Sequence, residues 1–258
     1  MLANNNKMII NKLAKNSVKS NKKQYGILFF TIVLSAFMLF CVFKIGLTYL
    51  DSSRLQNTRL NGAEYDITTM NGFTSKQVKS LQSNKNIQNV GMESYAGFIK
   101  SSEFDNTVEI GLLWCDETFW NNLMSPARTK LDGHYPQNKN ELMVTKDILK
   151  ACGNENLSVG DSIVLTYENN TGVHTDKFVI SGIWDGYGDK SAGFVSKNFY
   201  DETGYDLKND GILCIKLNRN YVLPTTIQSL EKSLNFSDRQ IFAPTDYIEN
   251  SFKLLLGI

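Results

Sequence analysis

The residues from Gly26 to Phe43, GILFFTIVLSAFMLFCVF, form a run of eighteen residues without a charged side chain. Such a run predicts a transmembrane helix, because eighteen helical residues extend about 27 Å, close to the thickness of the hydrocarbon core of a bilayer. Extension through Leu50 allows a tilted crossing, in which the stem of Lys44 reaches back to the interface. A buried core helix is the alternative, but such a helix rarely lacks a polar edge over this length.

The flanks of this run predict its orientation. Residues 1–25 contain six lysines and no acidic residue, and the first acid in the chain is Asp51. Lysines are retained on the cytoplasmic side of a short crossing, so residues 1–25 are predicted to be cytoplasmic, residues 26–50 to span the membrane and residues from 51 onward to be extracytoplasmic. A cleaved signal peptide is the alternative, but the charged lead is long and no small-residue cleavage signal follows the run.

The lysine-rich segment before the run has a helical pattern of its own. Ile9, Ile10, Leu13 and Val18 recur at helical spacing with lysines around them. This pattern predicts a basic amphipathic helix within residues 8–23 that lies on the inner membrane surface. Anionic lipids there attract each lysine by about 1 kcal/mol. A frayed basic tail is the alternative.

Charge and cysteine content limit the functions of the remaining chain. The net charge of +1 combines a basic N-terminus with an acidic remainder, in which 21 basic residues face 26 acidic ones. This composition offers no basic patch, so nucleic acid is not an expected partner. Cys115, Cys152 and Cys214 fall in different segments without a C-x-x-C pair. One disulfide with one free thiol, or three buried thiols, are both open.

The two ends of the outer segment, residues 51–250, share one plan. Strands and helices alternate in two β-α-β units, which are predicted at 65–69, 74–83 and 89–99, and again at 211–217, 224–234 and 240–243. The strand at 89–99 is predicted to break near Gly91. Two such units around an insertion predict an α+β fold. Residues 51–100 and 206–250 would build one split βαβ subdomain, and residues 101–205 an inserted, mostly-β lobe.

Within the insertion, alternating apolar residues and turn residues predict short strands and helices. The strands are predicted at 108–115, 141–145, 162–167, 176–184 and 192–196, and the helices at 117–124, 146–152 and 197–204. Residues 131–140 are predicted to form a turn-rich loop, and 159–161 a tight turn. Residues 251–258 become apolar again, and predict either the start of a second transmembrane helix or a helix docked on the domain.

No segment has the spacing of a catalytic, cofactor-binding or metal site. His134 and His174 stand apart from each other and from any cysteine at ligand spacing, so both are predicted to be ordinary surface residues. The acid pairs Asp116-Glu117 and Asp201-Glu202 are predicted at helix starts, where the helix dipole favours them. The loop Asp185-Gly186-Tyr187-Gly188-Asp189-Lys190 offers too few oxygen ligands for Ca²⁺.

The aromatic residues outside the anchor are expected mainly in the core. Tyr95, Phe98, Tyr187 and Tyr205 are the exceptions, as candidates for an exposed surface that contacts another protein. With no catalytic constellation in the sequence, the chain is not predicted to be an enzyme.

Several motifs resemble a family of membrane proteins. Leu13–Lys23, LAKNSVKSNKK, stands directly before the apolar run and resembles the basic opening of MacB/FtsX-type ABC transporter permeases. Ser75–Leu81 and Asn86–Gly91 resemble the helix and strand that open the family's outer domain. Four further segments follow in the order of the family signature G-x-x-P…E-[IVL]-x-[VL]…[VL]-G-D…F-x-V-x-G-I, namely Gly133–Pro136, Glu141–Val144, Val159–Asp161 and Phe178–Ile183.

The resemblance covers nearly the whole chain, and it implies a fold, a location and a role. The fold would be a porter-like subdomain with an inserted β-rich lobe, and the location a bacterial plasma membrane. Such permeases dimerise and pair with a cytosolic ABC ATPase, which binds the ATP. This chain has no Walker motif, so no cofactor is expected on it. Its outer domain would bind an unidentified extracytoplasmic substrate or protein.

One departure from the family pattern leaves an alternative open. Family permeases have at least three more membrane helices after the outer domain, whereas this sequence extends to Ile258. The sequence therefore corresponds to the N-terminal portion of a permease or to a truncated relative. The alternative function is a freestanding, single-pass receptor or binding module without transport activity.

Overall fold

The computed structural model describes residues 6–100, 110–187, 192–218, 223–237 and 239–244. The chain divides into two compact units, Met1–Ser53 and Arg54–Ile258. The predicted apolar end at 251–258 lies outside the described residues, as do residues 188–190 of the acidic loop.

The first unit is helical. Helix α1 covers Asn6–Ser20, and α2 begins at Lys22 and ends at Asn61. Both predicted helices are therefore present, and α2 continues past Leu50 to Asn61. Within the described part of the chain, α2 is the one helix whose length and composition would let it cross a membrane, and none of its apolar stretch is buried.

The chain ends build an interleaved arrangement of four strands. The first β-α-β unit consists of β1 (Ile67–Met70), α3 (Ser75–Gln82) and β2 (Ile87–Lys100). The second consists of β9 (Ile212–Leu217), α6 (Leu223–Leu234) and β10 (Ile241–Pro244). The strand order is β10-β1-β9-β2, and all neighbours are antiparallel. Each helix thus connects two parallel strands with a strand of the other unit between them, which confirms the predicted split βαβ fold.

The start of α3 shows how local sequence fixes this part of the fold. The Gln77 N–H donates to the Thr74 hydroxyl at 3.3 Å, and the Thr74 N–H donates to the Gln77 side chain at 2.9 Å. This reciprocal pair is a capping box. The apolar face of α3, Val78 and Leu81, is buried in one cluster with Leu230 of α6.

The insertion extends the same sheet. Its strands are β3 (Ile110–Cys115), β4 (Arg128–Gly133), β5 (Glu141–Thr145), β6 (Ser162–Asn169), β7 (Gly172–Gly186) and β8 (Ala192–Val195), and its helices are α4 (Lys146–Ala151) and α5 (Lys197–Tyr200). Strand β2 belongs to both parts, because its first half pairs with β9 and its second half with β3 and β6. The domain boundaries near residues 100 and 206 stay predictions.

Buried side chains form three clusters. One lies between the chain-end strands and α3 and α6, around Ile67 and Ile215. The largest fills the lobe and contains residues of β6, β7, α4 and α5, including Phe178 and Phe199. The third surrounds one turn of π-helix at Phe119–Leu123.

Two predictions about the lobe were wrong. Residues 131–133 were predicted to be loop, but they belong to β4, which pairs with β7 and with no other described strand. Its side chains are largely exposed, so the apolar alternation that marks a half-buried strand is missing.

The pair Asp201-Glu202 does not start a helix. Helix α5 begins earlier, where the Ser196 hydroxyl accepts the Phe199 N–H at 3.3 Å. Asp201 lies at the other end of α5 and forms an ion pair with Lys197. The pair Asp116-Glu117, in contrast, does start a helical turn, and Asp116 accepts the Phe119 N–H at 2.9 Å.

The break predicted near Gly91 was also wrong. Strand β2 pairs continuously at Gly91, and its register shifts lie between Ile87 and Asn89 and between Tyr95 and Gly97.

Candidate functional site

A cleft of about 340 Å³ opens beside the β6–β7 hairpin. We call it the hairpin cleft, and it is lined by Lys139, Asn140, Tyr167, Asn169, Thr171, His174, Asp176, Lys177, Phe178, Phe199, Glu202 and Thr203. Its volume is at the lower end of the range for small-molecule sites. The lining comes from the hairpin, from the segment before β5, and from α5 and the residues after it.

Strand register places the hairpin residues of this cleft. Tyr167 pairs with His174, and the next inward position on β7 is Asp176, followed by Phe178. Because side chains alternate between the two faces of a strand, these four residues share one face. Lys177 has the opposite parity and is exposed.

Three aromatic rings form the floor of the cleft. Tyr167, Phe178 and Phe199 are all buried. Their ring centroids lie 5.4 Å apart for Tyr167 and Phe199, 5.5 Å for Phe178 and Phe199, and 6.0 Å for Tyr167 and Phe178. Tilted and edge contacts at these distances are favourable.

An acid and a phenol are bonded on the hairpin wall. The Tyr167 hydroxyl donates to Asp176 Oδ2 at 2.6 Å. Burial, and then this bond, raises the pKa of Tyr167, so its proton stays in place. The second carboxylate oxygen of Asp176 has no hydrogen-bond partner among the described residues, and the side chain is exposed.

The hydrogen bonds around His174 define its tautomer. The Thr171 hydroxyl donates to Asn169 Oδ1 at 2.7 Å, and the Thr171 N–H donates to the same oxygen at 2.9 Å. The Thr171 hydroxyl oxygen therefore accepts from His174 Nε2, 2.8 Å away. In the neutral ring, Nδ1 then carries a lone pair, and no described residue bonds to it.

This arrangement has a chemical consequence for Thr171. A hydroxyl nucleophile needs a base that takes its proton. Here His174 Nε2 donates to the hydroxyl, so the two residues are not arranged as a nucleophile and its base.

The opposite wall carries one ion pair. Lys139 Nζ lies 2.5 Å from Glu202 Oε2, and both side chains are more than half exposed. Besides this pair, the charged residues of the lining are Asp176 and Lys177, and of these two Asp176 is the one on the inward face of β7.

A second cleft of about 610 Å³ lies around Trp114 and Trp120. Lys197 Nζ is 5.2 Å from the ring centroid of Trp114, and the Arg128 guanidinium is 4.0 Å from that of Trp120. Asp116 lines this cleft, but its carboxylate accepts the N–H groups of Met92 and Phe119, both at 2.9 Å. Burial raises the pKa of Asp116, against these two bonds, which lower it. Its function here is structural.

The two histidines predicted as ordinary surface residues lie in different clefts. His134 lines the cleft at Trp114 and is exposed, with Nδ1 3.0 Å from the Tyr135 carbonyl. His174 lines the hairpin cleft and stacks on Tyr167, with centroids 5.6 Å apart. The strand predicted at 176–184 begins after His174; extended to His174, the pattern His174-x-Asp176 would have placed both side chains on one face. The opposite wall, which includes Lys139 and Glu202, gave no sequence signal.

The four aromatics predicted to form a contact surface have separate surroundings. Tyr95 and Phe98 stack with centroids 5.2 Å apart, and Tyr95 is 42% exposed. Tyr187 instead packs on Arg59, whose guanidinium carbon is 4.1 Å from the ring centroid. Tyr205 packs against the core of the lobe.

The cysteines and acids offer no ligand set among the described residues. No group of three or more His, Cys, Asp or Glu side chains there is arranged to hold a metal ion. None of the four cysteines forms a disulfide in the described structure, and Cys115 and Cys214 are buried. Burial raises the pKa of both thiols well above its usual value.

Comparisons with known proteins give structural likenesses only. No protein-family model matches the chain, and no curated protein matches it. The periplasmic region of MacB from Actinobacillus actinomycetemcomitans is similar, with a TM-score of 0.49 and 13% identity over 75% of this chain and 95% of that one. The extracellular domain of the noncanonic ABC-type transporter YknZ from Gram-positive bacteria is also similar, with a TM-score of 0.46 and 10% identity over 69% of this chain and 98% of that one. At these values the likeness does not decide a family.

Proposed function

We propose that this chain is the N-terminal portion of a permease subunit of an ABC transporter of the MacB/FtsX type. The observation that carries the proposal is the apolar stretch of α2, of which none is buried, between a lysine-rich helix and a split βαβ fold with an inserted lobe. Apolar side chains that the protein leaves uncovered require a lipid environment. The motifs at Leu13–Lys23 and Gly133–Ile183 support the MacB/FtsX type.

In this proposal each part of the chain has a separate role. Helix α2 anchors the protein in a bacterial plasma membrane with the N-terminus in the cytoplasm, and the α+β domain is extracytoplasmic. A separate cytosolic ABC ATPase binds and hydrolyses ATP, so this chain needs no cofactor and is not an enzyme. A second permease copy completes the transporter.

The domain would bind its substrate or partner and pass a conformational change to α2. The last residues of α2 support this role, because residues 54–61 belong to the same compact unit as the domain. Thr58 is buried there, and Arg59 Nη2 donates to the Tyr187 hydroxyl at 3.4 Å. The hairpin cleft is the candidate binding site.

Orientation is tested by labelling introduced cysteines in intact cells with a membrane-impermeant thiol reagent. The background carries Cys152→Ser, which removes the most accessible thiol of the domain. Ser53→Cys is expected to be labelled in intact cells, and Ser20→Cys only after permeabilisation. The reverse pattern, with both proteins present by immunoblot, would contradict the proposal.

The permease role is tested separately, by tagging the gene at its own locus and purifying the protein from native membranes. We expect an ABC ATPase to co-purify and to be identified by mass spectrometry. Purification of the intact protein without any ABC ATPase, including after cross-linking, would favour the freestanding receptor.

A further inference from the structure

We infer that the hairpin cleft binds the primary ammonium group of a small organic amine or a peptide N-terminus. The inference rests on the proposed function, because it names the ligand class of the proposed binding site. It follows from which hydrogen-bonding groups in the cleft are already used and which are not.

Two unused groups on the inward face of the hairpin are acceptors. Asp176 uses one carboxylate oxygen for the Tyr167 hydroxyl and presents the other. His174 uses Nε2 as a donor to Thr171, so the neutral ring presents the Nδ1 lone pair. The two side chains stand two positions apart on one strand face, about 7 Å along the strand. An ammonium group has three donors and no acceptor, which complements this wall.

Two hydroxyl donors of the cleft are already engaged within the protein. The Tyr167 hydroxyl donates to Asp176, and the Thr203 hydroxyl donates to the Tyr200 carbonyl at 2.8 Å. The Lys139 ammonium is paired with Glu202. Lys177 also lines the cleft, but its position on β7 has the opposite parity to Asp176. An anionic ligand would meet the Asp176 carboxylate, whereas a cation gains a charge-assisted hydrogen bond from it.

The size and floor of the cleft restrict the remainder of the ligand. A volume of about 340 Å³ suits a small molecule or the first residues of a peptide. The rings of Tyr167, Phe178 and Phe199 give the floor an apolar surface, on which a short aliphatic group can lie.

The test uses the full chain in lipid nanodiscs and isothermal titration calorimetry with three probes. These are trialanine amide with a free N-terminus, its N-acetylated form, and n-butylamine. We expect the free-amine tripeptide to bind and the acetylated form to bind at least about tenfold more weakly, because it lacks the charge. Binding of butylamine without the tripeptide would assign the site to small amines, and binding of the tripeptide alone to peptide N-termini.

Two variants test the role of Asp176. Asp176→Asn keeps an oxygen for the Tyr167 hydroxyl and removes the charge, and we expect it to weaken binding of the free amine at least about tenfold. The matched control is Asp132→Asn, which removes an exposed acid of β4 outside the cleft and should leave affinity unchanged. Circular dichroism checks that both variants are folded.

Three results would overturn the inference. These are equal binding of the free and acetylated peptides, an unchanged affinity in Asp176→Asn, and no binding of any amine probe at about 10 mM. None of them affects the orientation or the ATPase co-purification, so failure of the inference and failure of the permease proposal are separate results.

Discussion

The hydroxyl of Tyr135 joins two strands of the lobe, β3 and β8, at a single atom. It accepts the Cys115 N–H at 3.0 Å, and it is 3.2 Å from each of the Cys115 and Val195 carbonyls, to which it can donate. Burial raises the pKa of Tyr135 well above its usual value, so the hydroxyl keeps its proton. The ring also packs against Trp120, with centroids 5.1 Å apart.

Tyr135→Phe is therefore expected to destabilise the domain. The substitution removes the hydroxyl while the backbone groups around it stay buried, which costs about 1–3 kcal/mol of unfolding free energy. Urea denaturation followed by tryptophan fluorescence measures the change, because Trp120 reports on this site. Tyr95→Phe is the control, since the Tyr95 side chain is exposed, and it should change stability by less than about 0.5 kcal/mol. Equal losses in the two variants would contradict the role of the Tyr135 hydroxyl.

Burial also predicts how the thiols of the domain react. Cys115 and Cys214 are 2% and 1% exposed, and their raised pKa values keep them protonated, whereas Cys152 is partly exposed. The thiolate is the reactive form. We expect a maleimide at neutral pH to modify Cys152 first, and Cys115 and Cys214 only after denaturation, as measured by peptide mass spectrometry. A disulfide between any two of these cysteines in the native protein would contradict this prediction.

At the scale of single elements, α3 shows how a local signal is reinforced by tertiary contacts. Its capping box is readable from Thr74 and Gln77, which stand three residues apart. The structure adds that Gln77 Nε2 donates to the Leu234 carbonyl at 3.1 Å, near the end of α6. The Gln77 side chain therefore caps the start of α3 and also bonds to the end of α6.

Thr74→Ala is expected to lower the unfolding free energy by about 1 kcal/mol, the usual cost of removing a helix cap. Ser80→Ala is the matched control, because Ser80 is an exposed residue inside α3, where alanine is the better helix former. Urea denaturation measures both changes in unfolding free energy, from the shift of the unfolding midpoint at an unchanged dependence of the free energy on urea concentration. If Ser80→Ala lowers the unfolding free energy as much as Thr74→Ala does, the cap does not contribute the expected stability.

Helix α1 has an amphipathic surface suited to a membrane. At about 100° per residue, Ile10 and Leu13 lie opposite Lys15 and Lys19. The apolar side chains of α1 are exposed, Leu13 by 65%. No acidic residue opposes the lysines.

A peptide of residues 1–23 should therefore become helical on vesicles that contain phosphatidylglycerol, and much less on phosphatidylcholine alone. Replacing Lys12, Lys15 and Lys19 by Gln should lower the affinity by about 1 kcal/mol for each lysine. Circular dichroism during vesicle titration measures the binding. Asn11→Gln is the control, because it changes no charge. Equal helicity on both kinds of vesicle would contradict the electrostatic part of the prediction.

At the scale of the whole domain, one sheet connects the chain ends with the insertion. Strand β2 carries this connection, and the π-helical turn Phe119–Leu123 packs on it at Gly91. A Cβ atom at Gly91 would lie 2.7 Å from Leu123 Cδ1 and 2.9 Å from Phe119 Cα. Only glycine permits this approach.

Gly91→Ala should therefore destabilise the domain by about 1–3 kcal/mol, because the turn must move away from the strand. Gln88→Ala, at an exposed position of the same strand, is the control and should have little effect. Urea denaturation with tryptophan fluorescence compares them. Wild-type stability in Gly91→Ala would show that the turn moves without cost.

Much of the candidate site was outside the reach of sequence patterns. Tyr167 and Asp176 could be assigned to predicted strands, whereas His174 lies before the strand predicted at 176–184. Lys139 and Glu202 could not be brought beside them, because these residues are 63 positions apart and meet through the packing of the lobe. Strand β4 was missed because a largely exposed edge strand lacks apolar alternation.

The sequence by itself determined the anchor helix, the lysine-rich lead and the two β-α-β units, because these depend on local charge, apolar periodicity and helix caps. Only the tertiary structure decided the order β10-β1-β9-β2, the sharing of β2 between both parts, and the hairpin cleft. These features depend on pairing between distant strands. Many registers satisfy the same local pattern, and burial of the whole core selects one of them.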